Sequence, residues 1–139
     1  MSKLFEHFVK NFQESFEDQK FRVIQSALHI SNQSGFGDLV ILDDEDELTL
    51  EIGNFYHQHF SSMNPKDFEE SKIIELLKKI LKDEVIIQST YAGSVLLESK
   101  LISLEDGNVL GIVGYLIPKL SNFFRKKTYK KITWSGNQV

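Results

Sequence analysis

The feature that most restricts how this chain can fold lies between residues 39 and 52. Leu39-Val40-Ile41-Leu42 is a short continuous apolar run, as expected of a buried strand. Leu48, Leu50 and Ile52 then alternate with Thr49 and Glu51, the period-two pattern of a strand with one buried face. Between the two stand five consecutive acids, Asp43-Asp44-Glu45-Asp46-Glu47, which repel one another and belong in a solvated turn. The segment therefore predicts an antiparallel hairpin with the acidic run at its tip.

Elements of other periods surround it. Leu4, Phe5, Phe8, Val9, Phe12 and Phe16 recur at spacings of three and four, which predicts an amphipathic helix with Ser2 as its cap. Phe21 and Val23 alternate with Arg22, so Phe21 to Ile30 reads as a strand, although Ile24, Ala27 and Leu28 also fit a helical stripe; Ser34-Gly35-Phe36-Gly37-Asp38 reads as a turn. Gly53 reads as a bulge or bend. A bulge would place Phe55, His57 and His59 on the face of Leu48, Leu50 and Ile52, whereas an unbroken register would place Asn54, Tyr56 and Gln58 there.

Asn64-Pro65-Lys66-Asp67 is a capped helix start, followed by the apolar stripe of a helix from about 65 to 82. Strand-like runs cover Val85 to Tyr91 and Ser94 to Leu104, with a turn at Asp106-Gly107. Residues 109–124 fit either a kinked helix or a strand followed by a short helix. Tyr129 to Trp134 reads as a closing strand, with Ile132 and Trp134 on one side. The expectation is a single α+β domain over residues 1–139, fraying from about 137. It would be a two-layer sandwich: a largely antiparallel sheet covered on one face by two or three helices.

Composition narrows the function. At 139 residues the chain is long enough for a real hydrophobic core. With no cysteine it has no disulfide and no thiolate chemistry, which points to a reducing cytoplasm. No stretch reaches the ~20 apolar residues of a membrane span. The first 70 residues hold 14 acids and 5 bases, and the remainder 6 acids and 11 bases.

Nucleophile elbows, phosphate-binding loops and dinucleotide fingerprints are all absent, so no enzyme is expected. His57 and His59 would point the same way from a strand, and both can reach one metal ion if a neighbouring acid completes the site. Histidines at a sheet edge more commonly hydrogen-bond backbone or water, and no diagnostic third ligand follows them, so no cofactor is expected. Arg125-Lys126-Lys127, Lys130 and Lys131 lie near the rings of Tyr129 and Trp134, a combination able to bind nucleic acid. The overall acidity, with a sequence pI near 5.6, argues against a phosphate backbone as the main partner.

Two blocks carry a resemblance. One is Leu48-Thr49-Leu50-Glu51-Ile52-Gly53-Asn54-Phe55-Tyr56-His57-Gln58-His59-Phe60, ahead of the capped helix. The other is Tyr129-x-x-x-x-Trp134-Ser135-Gly136. This layout resembles the small bacterial immunity proteins of polymorphic-toxin and contact-dependent growth-inhibition systems. The resemblance implies a non-catalytic cytoplasmic α+β protein that neutralises a cognate toxin, often a nuclease, by binding it. From charge and exposure, the expected contacts to a basic partner are Asp43, Asp44, Glu45, Asp46 and Glu47, with Glu51, Tyr56 and His57 beside them.

Overall fold

Ser2 starts the first helix, α1 (Lys3–Ser15), by accepting a hydrogen bond from the Phe5 amide at its Oγ. Phe5, Phe8 and Phe12 form its buried stripe and are fully shielded from solvent. Phe12 stacks on Phe16 at 4.3 Å and meets the edge of Phe21 at 5.1 Å, so the phenylalanines cluster as the helical spacing requires. The computed structural model describes residues 1–32, 37–53, 56–61, 70–114 and 126–139. The chain forms two compact units, Met1–Lys78 and Lys79–Val139.

The first unit is an antiparallel meander. Strands β1 (Arg22–Ile24), β2 (Ala27–Ile30), β3 (Leu39–Asp43), β4 (Glu47–Ile52) and β5 (Tyr56–Ser61) pair in sequence order. The predicted strand over 21–30 is thus two strands, bent at Gln25, whose φ is +55°. Leu39 and Ile41 are buried while Val40 and Leu42 are half-buried, so β3 has one covered face rather than two. Leu28, Ile41 and Leu50 form one row across the sheet, and Ile30, Leu39, Ile52 and Tyr56 form the next. All seven are buried.

Gly53 has φ +53° and opens the connection to β5, so it is a turn residue and not a bulge. Gly37, just before β3, approaches it at the open end of the β3–β4 hairpin. A Cβ on Gly37 would lie 2.6 Å from the Gly53 Cα, and its φ of +123° also excludes ordinary side chains.

Helix α2 (Glu70–Leu81) follows, and buries Ile73, Ile74 and Leu77 within the first unit. Its Glu70 carboxylate accepts from Asn11 Nδ2 at 2.6 Å and pairs with His7 Nδ1 at 3.0 Å. The Lys78 ammonium lies 5.8 Å from the centre of the Phe16 ring. The Asn64-Pro65-Lys66-Asp67 start falls outside the described residues.

The second unit holds a four-stranded antiparallel sheet of β6 (Val85–Ala92), β7 (Val95–Ser103), β8 (Val109–Gly114) and β9 (Lys127–Ile132), in the order β8-β7-β6-β9. The ambiguous segment from 109 is therefore a strand as far as Gly114, and residues 115–125 lie outside the described residues. Among the described residues β6 to β9 pair with one another and not with β1 to β5, so the strands form two sheets and not the single sheet expected. Asn137–Val139, expected to fray, fold back instead: Gln138 bridges Ile132 and the Val139 amide donates to the Lys131 carbonyl at 3.2 Å. The class is α+β with antiparallel sheets, as expected. No helix among the described residues is long and apolar enough to cross a membrane.

The Gly37–Gly53 approach gives a direct test. Gly37→Ala should lose about 2–3 kcal/mol in chemical denaturation, from steric overlap and backbone strain together. Gly114→Ala, with open space around it, should change stability by less than about 0.5 kcal/mol.

Candidate functional site

The β4–β5 register sorts the polar side chains. Ile52 faces Tyr56 across the connection, and the pairs continue as Leu50–Gln58 and Leu48–Phe60. Those residues share the buried face. The alternate pairs, Glu51–His57, Thr49–His59 and Glu47–Ser61, share the other. Of the two orientations open to this strand, the structure adopts the one with Tyr56 and Gln58 on the Leu50 face and both histidines outside. His57 and His59 are exposed, with ring centres 5.6 Å apart. The row through Glu51 and His57 extends over Val40 to His29.

The acidic run occupies the β3–β4 turn, as its charge predicts, but its five members have different surroundings. Asp43 faces Leu48 in the register and is only half-exposed. Its carboxylate accepts from the Ser2 amide at 2.7 Å and the Ser2 hydroxyl at 2.6 Å, fastening the start of α1 to the hairpin. It also accepts from the Glu45 amide at 3.1 Å. Partial burial pushes the Asp43 carboxyl up. The hydrogen bonds from Ser2 and Glu45 and the charge of the chain's amino terminus outweigh this and hold it below the usual aspartate value.

Asp44, Glu45 and Asp46 are exposed at the turn itself. Glu45 takes φ +65°, and the Asp44 amide donates to the Glu47 carbonyl at 3.0 Å to close the turn. Asp44 accepts a hydrogen bond from the Thr49 hydroxyl. Glu47 pairs with His59, Oε1 to Nδ1, at 2.9 Å, and Thr49 Oγ1 lies 2.9 Å from the same nitrogen. The Thr49 hydrogen is already committed to Asp44, so Thr49 accepts from His59 and Nδ1 carries the proton.

The predicted contact surface is thus corrected at Tyr56. Tyr56 is 2% exposed and its hydroxyl donates to Gln58 Oε1 at 2.7 Å, so its ring belongs to the core. Asp43 stays half-exposed, but its carboxylate is engaged by Ser2. Trp134, offered by sequence as a stacking platform, is 6% exposed, whereas Tyr129 is 62% exposed among the exposed Lys127, Lys130 and Lys131 of β9. Arg125 lies outside the described residues.

Sequence reading missed Ser2 as a partner of Asp43, and it missed Thr49, a 3% exposed hydroxyl beneath the acidic turn. A fixed strand register would have placed Thr49 opposite His59. Nothing in the sequence marks the His7–Asn11–Glu70 cluster. No protein-family model, curated protein or solved structure matches the chain.

The Asp43 clasp has a pH signature. A carboxyl titrating lower in the folded state than in the unfolded chain contributes stability above the unfolded value, and loses it as pH falls through the folded one. Asp43→Ala should therefore cost about 1–2 kcal/mol at neutral pH. The gap to the unmodified protein should shrink below about pH 4, as followed by denaturant titration at a series of pH values.

Proposed function

We propose that this chain is an immunity-type protein that binds and neutralises a basic cognate toxin through the acidic turn of the β3–β4 hairpin. One observation carries the reading: Asp44, Glu45 and Asp46 stand exposed together on a turn braced on both sides, by Asp43 on Ser2 and by Glu47 on His59. A braced charged turn loses little conformational freedom on binding, and concentrated negative charge speeds the approach of a basic surface. A nuclease fits this description, because its phosphate-binding cleft must be basic. Glu51 and His57, side by side on the same outer face, extend the contact surface along the sheet.

On this reading the protein acts in the cytoplasm, has no catalytic role of its own and uses no nucleic acid or membrane partner. The resemblance of the Leu48–Phe60 and Tyr129–Gly136 blocks to immunity proteins supports it.

The test is the double variant Glu45→Lys, Asp46→Lys against the toxin encoded beside this chain's gene. Its association rate should fall at least about tenfold at low salt, and its salt dependence should flatten. An unchanged rate and unchanged salt dependence would remove the acidic turn from the interface.

A further inference from the structure

The outer face of the first unit also brings together a donor set that shares Asp44 and the Glu47–His59 pair with the acidic turn but offers a different chemistry. Asp44, Glu47 and His59 each direct one ligand atom into a common space, with all three atoms within 4.8 Å of one another. We propose that they form a binding site for a divalent transition cation of the zinc type, with water in the remaining position.

Three features of the fold support this. The carboxylates flank a turn closed by the Asp44–Glu47 backbone hydrogen bond, and the imidazole stands on the adjacent strand, so the backbone fixes the spacing. A four-coordinate zinc holds nitrogen and oxygen donors at about 2.0–2.2 Å, which places neighbouring donors roughly 3.4 Å apart. The 2.9 Å between His59 Nδ1 and Glu47 Oε1 needs only a small side-chain rotation to reach that.

The proton on Nδ1, now shared with Glu47 and Thr49, occupies the position that a cation would take. On metal binding the imidazole would carry its hydrogen on Nε2 instead. Thr49 holds the Asp44 carboxylate from below, the outer-shell hydrogen bond that metal-ligating carboxylates commonly have. An imidazole with two carboxylates favours zinc and its neighbours over magnesium or calcium, which prefer all-oxygen sites.

The experiment is calorimetric titration of the full chain with ZnCl2, alongside variants. The expected result is saturable one-to-one binding that a large excess of Mg2+ does not displace. His59→Ala and Glu47→Gln should each weaken it by at least the roughly 10–100-fold that losing a mere outer-shell partner costs. His7→Ala, which removes a histidine–carboxylate pair away from the turn, should leave it unchanged. Proton–nitrogen NMR should show the His59 hydrogen moving from Nδ1 to Nε2 on saturation.

Should His59→Ala fail to fold, Glu47→Gln and the NMR signature decide the matter. Non-saturating uptake, undiminished binding by Glu47→Gln, loss in His7→Ala, or displacement by Mg2+ would each overturn the site. The Glu45→Lys, Asp46→Lys variant keeps all three ligands, so failure of the toxin interface and failure of the metal site are separable.

Discussion

The pairing of Ile52 with Tyr56 is the constraint on which the rest of the first unit depends. Side chains on a strand alternate between faces, so slipping β5 by one residue would invert every position from 56 to 61. His57 and His59 would then turn towards the side now filled by Leu48, Leu50 and Ile52, while Tyr56 and Phe60 would go to water. Two large aromatic rings hold the register against that exchange. The grouping of His59 with Glu47 and Thr49 is thus a by-product of core packing.

Much of this architecture was legible in the amino-acid pattern, and the reasons are local. The Phe5–Phe8–Phe12 spacing and the Ser2 cap predict α1 and its start, because helix periodicity and capping act over a few neighbouring positions. The β3–β4 hairpin was equally clear, because five adjacent acids leave a strand pair no other turn. The fate of Gly53 was not readable. A glycine at positive φ serves a bulge and a turn equally well, and only the pairing of two strands decides between them. The same limit hid one neighbour of the acidic turn: Asp44 and Glu47 are close in sequence, but His59 joins them only once the β4–β5 register is known.

The acidic run shows how charge that looks unbalanced in sequence becomes organised in the fold. Asp43 serves a helix terminus, Asp44 a buried threonine and Glu47 a histidine. Each of these three carboxylates thus has a hydrogen-bonding or ion-pair partner that offsets part of the repulsion among neighbouring acids. Glu45 and Asp46 remain exposed at the apex.

The two sheets differ in how far apart in the chain their neighbours lie. Every strand of the first sheet pairs with the next in sequence, whereas β9 must return past β7 and β8 to reach β6. Loop closure over such a distance is slow compared with forming successive hairpins. During synthesis the five-stranded meander can complete while the outer edge of β6 still lacks its partner. Until Lys127–Ile132 arrive, that edge presents open backbone donors and acceptors, and it is available for pairing with another chain.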